Sequence, residues 1–365
     1  MKLSLVAGAR PNFMKVAPLI RAIRARDDRF EYRLVHTGQH YDREMSDVFF
    51  EELGIPAPHD HLGAGGGSHA EQTAKILVGY EQACLERRPD AVIVVGDVNS
   101  TLACSITAKK LQIPVAHVEA GLRSGDRAMP EEINRLVTDA ISDHLFVTEA
   151  AARDNLLREG HAPDSIHFVG HVMVDNLLYQ RERLRHWDPS QLPSARLKST
   201  HERYGVVTLH RPSNVDSGPT LRGIVEALNQ VAARLPLLFA VHPRTRAAME
   251  RFGIALDPGV VLLPPLAYMD FLNLWKDAAL VMTDSGGLQE ETTALGVPCL
   301  TLRTNTERPI TVDVGTNRVV GVDPQAIVAA AASILDGRAK VGRIPELWDG
   351  RAAERIVQIL EQVLA

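Results

Sequence analysis

Asp97, Glu119, Glu131 and His210 are the residues whose types and settings could do chemistry. Asp97 follows the apolar run Val92–Gly96, in Gly96-Asp97-Val98-Asn99-Ser100-Thr101. Glu119 follows Val115–Val118, in His117-Val118-Glu119-Ala120-Gly121-Leu122-Arg123. Glu131 lies in Met129-Pro130-Glu131-Glu132-Ile133-Asn134-Arg135, and His210 follows Gly205–Leu209, in Thr208-Leu209-His210-Arg211-Pro212. An acid at the end of a buried strand is costly unless a function or a partner offsets it, so these are candidate general acids and bases. Each has an ordinary alternative. Asp97 could cap the helix beginning near Ser100. Glu119 could pair with Arg123, Glu131 could complement a helix dipole, and His210 could be a satisfied core histidine. His117, His144 and His171 read as structural.

Two further segments have the composition of anion sites. Gly8-Ala9-Arg10-Pro11-Asn12-Phe13-Met14-Lys15 is a strand-to-helix turn with Arg10 and Lys15 beside the helix start. A helix N-terminus offers unpaired N–H groups and partial positive charge, so phosphate suits it. Asp284-Ser285-Gly286-Gly287 follows the run Leu280–Thr283 and leads into Leu288-Gln289-Glu290-Glu291. Its glycines permit close approach of a diphosphate, Ser285 adds a hydroxyl, and Glu291 stands where it could accept from ribose hydroxyls. Arg308, in Thr306-Glu307-Arg308-Pro309, could clamp a phosphate or order Glu291. Gly65-Gly66-Gly67-Ser68, before a helix, is a weaker signal that fits phosphate contact and a flexible lid loop near the cleft equally well.

The elements that must position these groups alternate between short apolar runs and amphipathic segments, the pattern of βαβ units and parallel sheets. Strands are expected at Leu3–Val6, Tyr32–Thr37, Ala91–Gly96, Val115–Val118, His144–Val147 and Ile166–Val169, with helices at Met14–Arg26, Ala70–Glu86 and Thr101–Leu111. A polar, proline-containing segment, His186–Ser199, interrupts the pattern. A second series follows at Gly205–Leu209, Leu237–Val241, Val260–Leu263, Leu280–Thr283, Cys299–Leu302 and Arg318–Val320. The expected division is therefore 1–170 for a first Rossmann-like domain and 171–350 for a second. Arg351–Leu364 forms a closing helix whose Ile356, Ile359, Leu360 and Val363 share one stripe. The fold class expected is α/β, two Rossmann-like domains facing a central cleft, where ligands gather outside the carboxyl ends of the strands.

Composition narrows the classes. A chain of 365 residues with 45 % apolar and 23 % charged content can form two globular cores. A net charge of −5 argues against a nucleic-acid partner. No stretch approaches the roughly 18 apolar residues of a membrane span, and the N-terminal apolar run is too short for a signal peptide, so a cytoplasmic protein is expected. Cys84, Cys104 and Cys299 are scattered, and no metal-type spacing, Walker loop or dinucleotide turn is present, so no cofactor and no metal are expected.

Taken together, GARPNFMKVAPLI, TGQHYD, VVGDVNSTLA, HVEAGLRSGDRAMPEEINRLVTD, TLHRPSNVD, VHPR, TDSGGLQEE and TERP resemble the non-hydrolysing UDP-N-acetylglucosamine 2-epimerase family, in family order from residue 8 to residue 309. The resemblance implies the GT-B arrangement, a C-terminal helix 351–365 that returns to the first domain, and a homodimer. It implies reversible inversion at C2 of UDP-GlcNAc to UDP-ManNAc through elimination of UDP, a 2-acetamidoglucal intermediate, and re-addition. By motif match it makes Asp97, Glu119, Glu131 and His210 the catalytic set. It places Arg10, Lys15, Arg135, Arg211, His242, Phe271, Ser285, Gly286, Gly287, Glu291 and Arg308 at substrate or UDP-binding positions, with Phe271 near the uracil. In some bacterial members a Gln-His motif followed by a basic-acidic run binds a second UDP-GlcNAc as activator; here Gln39-His40 is followed by Tyr41-Asp42. Relatives act on UDP-sugars with a 3-acetamido group and a C6 carboxylate, and the shared motifs do not separate these substrates. A hydrolysing epimerase, a GT-B glycosyltransferase and a sugar-nucleotide sensor are the competing classes. The product feeds surface polysaccharides in relatives.

Overall fold

The computed structural model describes residues 1–26, 29–38, 50 and 52–364, with the side chains of residues 10 and 191 outside the description. The first series of apolar runs becomes a parallel sheet of β1 (Lys2–Ala7), β2 (Glu31–His36), β3 (Asp60–His61), β4 (Ala91–Val95), β5 (Val115–Val118), β6 (His144–Val147) and β7 (Ile166–Phe168). Their spatial order is β3-β2-β1-β4-β5-β6-β7. Every residue of β4 is buried, as a central strand covered by helices on both faces requires. The helices between the strands are α1 (Arg10–Arg24), α2 (His69–Glu86), α3 (Asn99–Lys110), α4 (Pro130–Ile141), α5 (Ala150–Arg158) and α6 (Val172–Leu184). Ser68 and Glu71 form a capping box at the start of α2, which fixes the glycine-rich stretch to an ordinary helix start.

The second series forms another parallel sheet, in the order β10-β9-β8-β11-β12-β13. Its strands are β8 (Gly205–Thr208), β9 (Leu237–Ala240), β10 (Val260–Leu263), β11 (Leu280–Thr283), β12 (Cys299–Thr301) and β13 (Asn317–Val319). Its helices are α7 (Pro193–Thr200), α8 (Pro212–Val215), α9 (Gly218–Ala232), α10 (Pro243–Phe252), α11 (Tyr268–Trp275), α12 (Gly286–Leu295), α13 (Pro309–Asp313) and α14 (Pro324–Leu335). The chain closes with α15 (Ala352–Val363).

Each sheet has its own core. Leu5, Leu19, Leu34, Ile93 and Phe146 centre the first, and Val207, Leu228, Phe239 and Met282 the second. The compact units are Met1–Tyr179 with Glu346–Ala365, and Gln180–Pro345. The first unit runs past residue 170 because the start of α6 belongs to it. Val172 joins its core, and Asp175 accepts hydrogen bonds from the backbone N–H groups of Ala352 and Ala353 at 3.1 and 2.7 Å. The return of the chain is fixed just before residue 350: Trp348 Nε1 donates to Thr148 O at 3.2 Å and its ring meets His171 edge-on. Ile356, Val357 and Leu360 of α15 complete the first core. The polar segment read as an interruption in fact contains α7, whose start is fixed by Asp270 accepting from Ser194 N at 2.9 Å.

Candidate active site

In each sheet the strand order reverses once, between β1 and β4 in the first and between β8 and β11 in the second. A crevice opens at such a point beyond the strand carboxyl ends. Gly8 and Asp97 stand past β1 and β4, and His210 and Asp284 stand past β8 and β11.

In the first unit the turn after β1 is closed by its own residues. Asn12 Oδ1 accepts from Gly8 N and Ala9 N at 3.3 and 2.9 Å, and its amide donates to Val95 O at 3.1 Å. A Cβ on Gly8 would lie 2.0 Å from Ser100 Oγ, so only glycine fits there. Lys15, expected as an anion binder, turns onto Glu119 with Nζ 2.6 Å from Oε2. Glu119 is buried and has a φ of +74°, a backbone conformation costly for a non-glycine residue. Its N–H donates to Phe146 O at 3.0 Å, which fixes the turn out of β5. Arg123 pairs with Asp139 and Glu159 rather than with Glu119. The Arg10 side chain and Gln39-His40 lie outside the description.

Asp97 is held by α4. Arg135 Nε and Nη2 donate to Asp97 Oδ2 at 3.0 and 2.6 Å, and Asn134 Nδ2 donates to the Asp97 carbonyl at 2.9 Å. Asp97 thus does not cap α3, whose cap position is Val98. Arg135 also donates from Nη1 to Glu132 Oε2 at 2.7 Å. Glu132 accepts from Ser124 N and Gly125 N at 2.9 and 3.0 Å, which ties down the loop after Glu119. Burial raises the Glu132 carboxyl, but these donors and Arg135 outweigh it and hold it below its ordinary value. Glu131 is exposed at the start of α4. The pair Pro-Glu-Glu thus divides, one acid facing solvent and the next locked inside. Sequence reading missed Glu132, because Glu131 and Glu132 stand four and three residues before Arg135 and both spacings suit a helical pair.

His117 joins these turns. Its Nε2 lies 2.8 Å from Gly96 O and its Nδ1 2.6 Å from Asp139 Oδ1, both side chains being fully buried. Burial raises the Asp139 carboxyl, but His117 and Arg123 outweigh it and hold it low.

In the second unit Asp284 is the organising acid, a role the sequence reading did not assign. Fully buried, it accepts from the backbone N–H groups of His210 (3.1 and 3.0 Å to its two oxygens) and Arg211 (2.9 Å), and from Asn214 Nδ2 at 3.2 Å. Its Oδ1 lies 3.0 Å from His210 Nδ1. Burial raises Asp284, yet these partners keep it below the usual carboxylate value. Tying Nδ1 to Asp284 fixes the half-exposed imidazole and leaves Nε2 to face a ligand. His210, His242 and Phe271, with Thr208, Leu209 and Val241, line an open pocket of about 180 Å³. His242 is lowered by burial, His210 and Arg244, and its Nδ1 accepts from Arg244 N at 3.2 Å.

The helix expected from Leu288 starts two residues earlier, so Gly286 and Gly287 are its first residues rather than part of a turn, with Ser285 at the cap making no side-chain cap bond. Gln289 supports this start, donating to Ser285 O at 3.1 Å and accepting from Thr306 Oγ1 at 2.6 Å. Glu291 is buried, accepts from Tyr268 Oη at 3.2 Å, and is pushed up to about 8 by burial. Arg308 pairs with Glu290 at 2.7 Å, not with Glu291. Arg211 Nη2 donates to Glu307 Oε1 at 3.1 Å.

The first unit thus presents two cation-paired acids beside an exposed one. The second presents an oriented imidazole beside a glycine-rich helix start. Among the described residues, no helix is long and apolar enough to cross a membrane, and no group of three His, Cys, Asp or Glu residues is placed to hold a metal ion.

Comparison with known proteins gives the chain its family. A family model described as UDP-N-acetylglucosamine 2-epimerase matches residues 21–361. The UDP-N-acetylglucosamine 2-epimerase of Methanocaldococcus jannaschii is 42 % identical over 368 residues, covering 99 % of each chain. The UDP-2,3-diacetamido-2,3-dideoxy-D-glucuronate 2-epimerase of Pseudomonas aeruginosa is 40 % identical over 372 residues, covering all of both. The crystal structure of the M. jannaschii enzyme in complex with UDP-GlcNAc and UDP matches with a TM-score of 0.88 at 41 % identity, over 99 % of this chain and 100 % of that one.

Proposed function

The chain belongs to the UDP-N-acetylglucosamine 2-epimerase family, and on that premise we propose that it interconverts UDP-GlcNAc and UDP-ManNAc. The observation that carries the reading is the pairing of two acids with separate cations at neighbouring strand ends, Asp97 with Arg135 and Glu119 with Lys15. Inversion at C2 needs proton transfer on both faces of that carbon, hence at least two acid–base groups. One carboxylate takes the C2 proton, the C2–H electrons form the C1–C2 double bond, and the C1–O bond breaks to release UDP. In the return step another acid of the set protonates C2 on the opposite face, and a UDP oxygen rebuilds the bond at C1. Asp97, Glu119 and Glu131 are the candidates for these transfers. Arg135 and Lys15 hold Asp97 and Glu119 in place for such a transfer, and Glu131 is open to solvent.

The second unit is the proposed nucleotide holder. Ser285, Gly286 and Gly287 offer the diphosphate backbone donors at the start of α12, Glu291 the ribose an acceptor, and Phe271 the uracil an apolar surface. His210 donates to the leaving diphosphate, with Arg211 and His242 beside it. Glu119→Gln tests the assignment: it should abolish exchange of the C2 hydrogen with solvent while UDP still binds. Retention of full exchange would remove Glu119 from the set.

The full-length similarity to the Pseudomonas enzyme supports a second substrate reading, a UDP-2,3-diacetamido uronate. Turnover of the two UDP-sugars side by side separates the readings. We also propose a homodimer, acting in the cytoplasm and supplying surface-polysaccharide synthesis. Val78 and Leu85 of α2 and Ile133 and Val137 of α4 are exposed apolar side chains on helices that both pack on α3, a face suited to a second copy. Light scattering on the native chain and on Val78→Glu/Leu85→Glu tests this; a native monomer would refute it.

A further inference from the structure

Glu307 joins two arginines of the second unit. Its Oε1 accepts from Arg211 Nη2 at 3.1 Å, and its Oε2 lies 2.8 Å from Arg303 Nη2. A Cβ on Gly286 would lie 2.8 Å from Glu307 Oε1. The missing side chain at Gly286 is therefore what lets this carboxylate reach the first residue of α12. That helix has no acidic residue in its own first turn, so Glu307, from a separate loop, supplies negative charge to its N-terminus. Burial raises the Glu307 carboxyl, but Arg303, its own backbone N–H and Arg308 outweigh it and bring it to about 2. It keeps its charge at any working pH.

We propose that Glu307 is a resident anion in the diphosphate cradle, competing with the bound nucleotide for Arg211 and the start of α12 and thereby weakening the grip on UDP. This rests on the reading that UDP binds at the Asp284–Gly287 turn. A diphosphate reaching the same donors meets a fixed negative charge already seated on them, and like charges at short range repel. Arg211 is about one-third exposed, so it can serve two anions, whereas Arg303 is nearly buried and remains with Glu307. The reaction gives this competition a use. UDP must leave C1 and return to it many times, and a cradle of unopposed cations would bind free UDP more tightly than turnover tolerates.

The test is calorimetric titration with UDP and with uridine, at low and moderate salt. Glu307→Gln should tighten UDP about tenfold at low salt, less at moderate salt, and leave uridine unchanged, since only the phosphates feel the lost charge. In an Arg211→Met background the part of the gain that comes from freeing Arg211 should be lost, and the smaller part that comes from repulsion at the start of α12 should remain. A carboxylate that merely braced the loop would give the opposite sign, with UDP weaker in Glu307→Gln; that result, or unchanged UDP affinity, overturns the inference. Should the single variant fold poorly because Arg303 is left buried without its partner, Glu307→Gln/Arg303→Gln carries the same test. Native protein that binds uridine but not UDP would refute the UDP reading itself, and this inference with it.

Discussion

Lys15 has its ammonium 2.6 Å from Glu119, and both side chains are nearly buried. A buried pair leaves an uncompensated charge when one partner is removed. Lys15→Met should therefore lower kcat strongly, because Glu119 loses the cation that holds its carboxylate in place. UDP affinity should change little. An unchanged kcat would mean that Lys15 only supports the fold. Glu291 yields a separate pH effect. An unfolded glutamate ionises near 4.5, whereas burial delays ionisation of Glu291 to about 8. Between those values the unfolded chain binds fewer protons than the folded one, so this contribution to stability is full below pH 4.5 and is lost as pH rises toward 8. Glu291→Gln lacks that slope, so its melting temperature relative to native protein should climb from pH 5 to pH 8. A difference that is flat with pH would contradict the placement. The strand-end acids were legible in the sequence because each ends an apolar run. Their partners were not, since Lys15 with Glu119 and Arg135 with Asp97 are joined only by the fold. The sequence also could not divide Glu131 from Glu132 without knowing which side of α4 faces inward.

The closing helix α15 is docked by specific contacts as well as by its apolar stripe. Asp175 accepts from two of its first N–H groups, which makes a side chain of α6 the cap of a helix about 180 residues away. Asp175→Ala should cost about 1–2 kcal/mol, read as a lower denaturation midpoint. An unchanged midpoint would show that the apolar stripe alone holds the helix. The strand β4 was legible because full burial writes an unbroken apolar run. The two-residue β3, Asp60–His61, was not, because an edge pairing that short has no periodicity to read. The helix α7 was hidden by the polar, proline-containing segment that contains it, and its start depends on a distant acid, Asp270.

At the scale of the whole chain, two parallel sheets with one reversal each place Gly8, Asp97, His210 and Asp284 beyond the strand ends at the reversals, and Glu119 beyond the neighbouring β5. The proposed reaction divides the labour: acids in the first unit, nucleotide contacts in the second. The unit boundary was harder to read than the sheets. It falls inside α6, and no composition shift marks the middle of a helix. The measurement that tests the central claim most directly is proton NMR of the native chain with UDP-GlcNAc in D2O, without added metal or NAD. The account predicts UDP-ManNAc signals together with replacement of the C2 proton by deuterium. Unchanged UDP-GlcNAc with its C2 proton retained would contradict it.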